Sequence, residues 1–266
     1  MSERGVSEIL GFVLVFSLMA ASVASVYVVG FSGLEDSRSA EQINNAERAF
    51  DVLDDNVDDL HQDRAPHRAT EFKLYNAGMY LGEPTRITMT ITNVGSAPTF
   101  GVTTYPLVYD PQDSATELVY TAGASIREDR GGAIFLDEPG LIFRESGGVR
   151  TASLPIVQTR SSDEEYASGT GTILVRGTRV VSETLVSRTT PTVDTGGSPR
   201  YSVDIVVETT PVRAELWEAY LDEEIEGAYG VSDPCDVPTG TSNVECTISV
   251  ERLFFSATRI ELNIED

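Results

Sequence analysis

The chain begins with an uncharged apolar run placed almost at its first residue. From Ile9 to Val29, 21 consecutive residues carry no charge. A helix rises about 1.5 Å per residue, so this run spans roughly 30 Å, the thickness of a membrane's hydrocarbon layer. The chain after Glu35 is predominantly polar and acidic. The sequence therefore predicts one transmembrane helix over residues 6–31 that carries a large domain exposed to water.

Three outcomes are open for this N-terminus. A secretory signal would be removed, and residues 22–24 (Ser-Val-Ala) form a suitable small-residue cleavage site. A permanent anchor would stay uncut. Thirdly, Arg4 and Gly5, followed by Val6 and the apolar run, resemble the prepilin cleavage site of archaeal type IV pilins. The resemblance implies that a prepilin peptidase removes residues 1–5 as a leader, so that the mature protein starts at Val6 and keeps its apolar helix.

Glu8 has two interpretations. A carboxylate in the first turn of a helix is stabilised by the helix dipole, and Ser7 is a suitable N-cap. The resemblance to pilins implies instead an assembly acid, which pairs with the terminal amine of a neighbouring subunit. Both interpretations stay open.

The distribution of charge predicts orientation and partners. Arg4 lies on the short side of the apolar run, and Glu35 and Asp36 open the long side, which favours a short N-terminus inside and the bulk of the chain outside. Without Arg4, Glu3 and Glu8, 18 basic and 40 acidic residues remain, a net charge of −22. Such a surface repels nucleic acid, so no nucleic-acid partner is expected. The apolar run implies the membrane as a partner, and the resemblance to pilins implies the prepilin peptidase and other pilin-like subunits.

The kind of charge indicates a salty habitat. Lys73 is the only lysine in the chain, whereas Asp and Glu number 42. A surface rich in carboxylates stays hydrated in concentrated salt, where its self-repulsion is screened over a few Å. We therefore expect a haloarchaeal source. Asp54, Asp55, Asp58 and Asp59 lack the glycine and spacing of a calcium-binding loop, and a solvated acidic face explains them better than a metal site.

Cys235 and Cys246 are the only cysteines, and they flank a loop rich in Pro, Gly and Asn. Outside the membrane the simplest prediction is one disulfide, which would close this loop and stabilise the fold by about 3 kcal/mol. A metal site is the alternative, but the two histidines, His61 and His67, are far away in the sequence. No metal and no cofactor are predicted.

An amphipathic acidic helix is predicted over residues 34–64. Its apolar positions recur at spacings of three and four, and Pro66 is expected to end it. This stripe packs either on the protein's own β-domain or against other subunits. Its members are Ile43, Ala46, Phe50, Leu53, Val57 and Leu60.

From residue 68 the apolar period changes to two, which predicts strands. The clearest alternations are Ile87/Met89/Ile91, Val203/Ile205/Val207 and Ile260/Leu262/Ile264. Residues 158–170 and 189–199 are predicted as exposed loops. One helix interrupts the strands after Thr210 and Pro211, with Val212, Leu216 and Tyr220 on one face; Trp217 either marks a binding surface or packs on the sheet. The predicted fold class is α+β: a long N-terminal helix, then an antiparallel β-sandwich-like domain over residues 68–266 with one short helix.

Several longer segments resemble an uncharacterised family of haloarchaeal pilin-like membrane proteins. They are LVYTAGASIREDRGGAIFLDEPGLIF, SLPIVQTR, GTGTILVRGTRVV and the tryptophan-containing helix. The resemblance implies location and architecture but no activity. No GxSxG, HExxH or phosphate-binding loop is present. The expected function is a minor or pseudo-pilin structural component without catalysis; the alternative is a monomeric anchored envelope protein whose β-domain binds a surface ligand.

Overall fold

A computed structural model describes residues 3–94, 96–112, 114–161, 166–189 and 200–265, with residues 3–8, 31–32 and 35–36 described by their backbone alone. The chain divides into two compact units, one up to Asn44 and one from Asn45 to Asp266. The first unit is helical throughout its described part. The second contains all the strands described below.

Two helices and fourteen strands follow one another in the described chain. They are α1 (Glu3–His61), β1 (His67–Leu81), β2 (Thr85–Ile91), β3 (Thr99–Thr104), β4 (Leu107–Pro111), β5 (Glu117–Thr121), β6 (Ala124–Asp129), β7 (Gly132–Asp137), β8 (Ile142–Ser146), β9 (Val149–Arg160), β10 (Tyr166–Thr189), β11 (Tyr201–Glu208), α2 (Pro211–Tyr229), β12 (Cys235–Asp236), β13 (Asn243–Val250) and β14 (Arg252–Glu265). This order confirms the α+β prediction of an N-terminal helix followed by a β-rich domain with one further helix.

The strands form two sheets. The larger has nine strands in the order β7-β6-β5-β4-β1-β10-β14-β9-β8, and the smaller has five in the order β12-β13-β11-β2-β3. The pairs are antiparallel except for β14 and β9, which run parallel. The antiparallel prediction therefore holds with one exception: β9 and β14 are far apart in the chain, and no hairpin constrains their relative direction.

The two faces of the large sheet are covered by different elements. On one face, the residues of α1 from Ala46 to Leu60 pack on β1, β10 and the C-terminal half of β14. On the other face, the small sheet and α2 pack on β9 and the N-terminal half of β14. Strand β14 serves both cores because its side chains alternate: Leu253 and Phe255 enter one core, and Ile260 and Leu262 enter the other.

The predicted strand alternations are buried as expected. Ile87, Met89 and Ile91 lie in β2 with their side chains in the core. Helix α1 ends at His61, five residues before Pro66, and the chain leaves it through Arg64 at a φ of 60°. The amide of Ala65 donates to the carbonyl of Asp59 across this turn. The predicted 158–170 loop is wrong at both ends, because β9 runs to Arg160 and β10 begins at Tyr166. The second predicted loop lies, apart from Thr189 in β10, outside the described residues.

Candidate functional site

The apolar segment of α1 is not used by the protein's own core. None of Ile9–Gly30 is buried, and side chains as large as Phe12 and Val26 are 71% and 74% exposed. The segment is long and apolar enough to cross a membrane. An uncut membrane helix and a secretory signal share these properties.

The residues predicted for processing and assembly lie at the beginning of α1. Arg4, Gly5, Val6 and Glu8 are helical in their backbone, but their side chains lie outside the described structure. The cleavage site at Arg4, Gly5 and Val6 and the assembly role of Glu8 therefore remain predictions.

Asp54 departs from the solvated acidic face that the sequence predicted. It lies where α1 packs on the large sheet, and the hydroxyl of Ser125 donates to its Oδ2 at 2.5 Å. The pKa of Asp54 is raised to about 7, mainly by burial; the hydrogen bond from Ser125 lowers it, and the nearby carboxylates of Asp137, Asp51 and Asp58 raise it. Asp54 is thus a carboxyl group whose charge depends on pH near neutrality.

The other acidic residues of α1 do not form a metal site in the described part of the chain. Asp59 pairs with Arg68 Nε at 2.8 Å, and Asp55 is exposed. No group of three metal-ligating side chains is found among the described residues.

Cys235 and Cys246 are joined by a disulfide and occupy paired positions of β12 and β13. The amide of Cys235 also donates to Asp222 Oδ1 of α2 at 2.9 Å. The disulfide joins β12 to β13, and the hydrogen bond joins β12 to α2. The two cysteines therefore hold parts of the fold together.

Trp217 belongs to the core. Its side chain is fully buried, and its ring meets Phe135 edge-to-face at a centroid distance of 5.6 Å. Thr210 caps α2 and Pro211 begins it, as predicted. The predicted apolar face is right for Tyr220, which is buried, and wrong for Val212, which is exposed; the buried face also includes Ala214, Trp217 and Leu221.

The described structure contains one feature that the sequence did not indicate: a polar cleft of about 330 Å³ between the C-terminal end of α1 and strands β10 and β14. Ser182 pairs with Thr258 and Thr184 with Ser256, so all four side chains share the sheet face on which α1 packs. The other lining residues are His61, Gln62, Arg64, Arg179, Glu183 and Ala257. Helix α1 covers this face only as far as His61, and the cleft lies beyond the helix end.

A chain of hydrogen bonds crosses the floor of the polar cleft. Arg179 Nη2 donates to Ser182 Oγ at 2.9 Å, Ser182 Oγ lies 2.8 Å from Thr258 Oγ1, and Thr258 Oγ1 lies 2.8 Å from His61 Nδ1. Burial lowers the pKa of His61, Asp58 raises it and Arg179 lowers it. His61 is therefore neutral at pH 7, and the positive charge of the cleft comes from its arginines. Sequence inspection misses this chain of hydrogen-bonded side chains because its members are up to 197 residues apart.

Comparison with known proteins yields a family and nothing more specific. No curated protein matches the chain. No solved structure matches it either. Residues 4–263, nearly the whole chain, match the family described as "Family of unknown function (DUF7289)". The match includes the apolar segment and extends into the last strand, so the family model covers residues of both units. The protein is thus a member of the DUF7289 family.

Proposed function

We propose that this protein is a membrane-anchored, pilin-like component of the cell surface, a minor or pseudo-pilin without catalytic activity. The observation that carries the proposal is the contrast within α1. Segment Ile9–Gly30 is entirely exposed, whereas the apolar stripe between Ala46 and Leu60 is buried on the large sheet. Water-soluble proteins do not leave an apolar surface of this size uncovered. A membrane would cover it.

The continuity of α1 supports a pilin-like architecture over a simple anchor. The apolar segment and the stripe buried in the β-rich unit belong to one helix, Glu3–His61, without an intervening linker. A plain anchor requires only a flexible connection to its domain. A helix that serves both purposes is the arrangement implied by the resemblance to pilins, in which the N-terminal half packs against neighbouring subunits.

The composition of the β-rich unit supports its display outside the cell. The Cys235–Cys246 disulfide suits an oxidising exterior. The acidic surface with a single lysine suits the salty surroundings of a haloarchaeon. Both features, together with Arg4 on the short side, support an orientation with the N-terminus inside.

His61, the histidine that lines the polar cleft, has one described side-chain partner. His61 contacts the Thr258 hydroxyl, but no described carboxylate makes a hydrogen bond to its ring. A nucleophile with a base requires a third group that orients the base. The described cleft lacks that third group.

The experiment that tests the proposal is a peptide map of the mature N-terminus, made separately on protein from carbonate-washed membranes and on protein recovered without detergent. A start at Val6 supports the pilin pathway. A start at Ser25, in protein recovered without detergent, contradicts both the anchor and the pilin pathway. An intact Met1 or Ser2 reduces the proposal to a plain anchor.

A matched pair of variants tests the cleavage site itself. Gly5→Phe places a bulky side chain at the predicted cleavage position and should leave a slower-migrating precursor. Gly11→Phe adds the same ring inside the apolar segment, where nothing lies within 4 Å of the added Cβ, and should be processed normally. Unchanged migration of Gly5→Phe contradicts the prepilin assignment.

The polar cleft favours one alternative, an anchored monomer whose β-rich unit binds a ligand. Electron microscopy of surface appendages in cells with and without the gene separates the two functions. Appendages that change in number or shape support the pilin-like component, and unchanged appendages favour the anchored binding protein.

A further inference from the structure

The polar cleft contains two positively charged side chains. Arg64 and Arg179 both line it. Neither forms an ion pair with a described acidic residue, whereas seven other arginines do. The chain has 42 acidic and only 19 basic residues, so carboxylates are available for pairing throughout the fold. Other described arginines also lack an ion pair, so what distinguishes Arg64 and Arg179 is that both line the same cleft.

Arg179 is fixed in place but incompletely satisfied. Its Nη2 donates to Ser182 Oγ, and Ser182 is held in turn by Thr258. Its Nε is buried and has no hydrogen-bond acceptor. A cationic N–H group that is removed from water without an acceptor carries a free-energy cost, which a nearby negative charge reduces.

Negative groups lie close to the cleft, including the carboxylate of Asp58, which raises the pKa of His61, but no described carboxylate forms an ion pair with Arg64 or Arg179. The C-terminus of α1 contributes about half a negative charge, and the carbonyls of Asp58 and Asp59 already accept backbone amides. The carboxylate of Asp59 is engaged by Arg68. Glu183 also lines the cleft, although it lies between Ser182 and Thr184 in β10, where side chains alternate between the two faces of the strand.

We propose that this cleft binds an oxyanion, held by Arg179 and Arg64 with the hydroxyls of Thr184 and Ser256 as further donors. The planar guanidinium group presents paired N–H donors that match two oxygens of a phosphate, sulfate or carboxylate. A volume of about 330 Å³ accommodates such a group together with water. The oxyanion has two sources, a free ion or a carboxylate of a second copy of this acidic chain. Neither source depends on the membrane anchor, so this inference and the proposed function fail separately.

The first test is a calorimetric titration of the full-length protein in non-ionic detergent with potassium sulfate and, separately, potassium phosphate. Ionic strength is held constant with KCl. We expect saturable binding with a dissociation constant in the roughly millimolar range, and at least about tenfold weaker binding for Arg179→Gln. Arg64→Gln, at an exposed position, should weaken binding in the same direction. The control Arg130→Gln removes the same charge from the exposed β6–β7 turn and should bind like the wild type.

The second test separates the two sources. Sedimentation of the same samples measures self-association with and without sulfate. Self-association that sulfate reverses and Arg179→Gln abolishes identifies a carboxylate of a second copy. Saturable sulfate binding to a protein that stays monomeric identifies a free ion. Unfolding curves followed by Trp217 fluorescence show whether each variant is folded. Folded Arg64→Gln and Arg179→Gln proteins that bind sulfate and self-associate like Arg130→Gln would overturn the proposal.

Discussion

The two ends of helix α1 have the same backbone conformation and opposite surroundings. Residues Ile9–Gly30 are apolar on every side and fully exposed. Residues Asn45–His61 are apolar along one stripe, and that stripe is buried against the large sheet. A helix that is apolar all round needs an apolar medium on every side, whereas a striped helix needs only one packing surface. The comparison shows that the pattern of apolar residues, and not their number, decides which medium each segment requires.

The largest difference between the two segments should appear when a phenylalanine is truncated in each. Phe50 is fully buried and packs edge-to-face on Phe72 at 5.4 Å, whereas Phe12 is exposed. Phe50→Ala should lower the free energy of unfolding by about 3–5 kcal/mol, because it removes a buried ring and leaves a cavity. Phe12→Ala should change it by less than about 0.5 kcal/mol. Urea unfolding in detergent, followed by Trp217 fluorescence, measures both; equal losses would contradict the comparison.

The charge of Asp54 should make the packing of α1 on the sheet dependent on pH. Burial raises its pKa from 3.8 to about 7, so the stabilisation linked to its protonated form is complete below pH 4 and is lost as the pH rises through 7. A change of this size corresponds to up to about 4 kcal/mol. Asp54→Asn cannot ionise and should therefore be more stable than the wild type at pH 8 by up to that amount.

The control for this effect is Asp55→Asn, the exposed neighbour on the same helix. The difference in unfolding free energy between wild type and each variant is measured from pH 4 to pH 8, which cancels the other titrating groups. The difference should change with pH for Asp54→Asn only. A difference that is independent of pH at both positions rules out a charge-dependent packing of α1.

The close approach of α1 to strand β10 predicts a smaller effect. A Cβ added at Gly177 would lie 2.9 Å from Leu60 Cδ1 and 3.3 Å from Ile260 Cγ2, and both side chains are buried. Gly177→Ala should therefore cost about 1–3 kcal/mol through overpacking. Gly171→Ala in the same strand meets nothing within 4 Å and should be neutral. The two urea midpoints should differ, and identical midpoints would mean that the helix moves away without cost.

The smallest expected loss of stability concerns an ion pair at the start of the buried stripe of α1. Glu47 pairs with Arg127 at 3.0 Å, with side chains that are 23% and 33% exposed. Glu47→Gln should cost about 0.5 kcal/mol at low salt and less in concentrated KCl, because the pair is screened. Glu41→Gln, at an exposed position before the buried stripe, should have no effect at either salt concentration. A salt-independent loss for Glu47→Gln would indicate packing instead of charge.

Strands with a regular period of two were predictable, and strand β10 was not. Val203, Ile205 and Val207 alternate with polar residues, and β11 follows that pattern. The N-terminal part of β10 consists of small and polar residues with glycines at 169 and 171, so its sequence has the composition of a loop. Its strand conformation comes from pairing with β1, in which Tyr80 opposes Tyr166. Such pairing joins residues far apart in the chain and leaves no local signal.

The candidate site divides in the same way. The apolar segment and the two cysteines were evident from composition and spacing, and helix α2 from its cap at Thr210. The sequence did not predict that Trp217, and not Leu216, lies on the buried face of α2, because each faces a different neighbour and the pattern of α2 allows both. The polar cleft was not predictable at all, since His61, Arg179 and Thr258 meet only through sheet register.

The sequence by itself determined that one segment of this protein needs an apolar medium, that its charged surface needs a highly polar one, and that a β-rich unit follows a helix. These properties are sums over neighbouring residues and require no knowledge of long-range contacts. Only the tertiary structure decided that Asp54 is a buried acid and that Arg64 and Arg179 stand together without carboxylate partners. Burial and charge compensation depend on which distant strands become neighbours, and that choice is made by the fold as a whole.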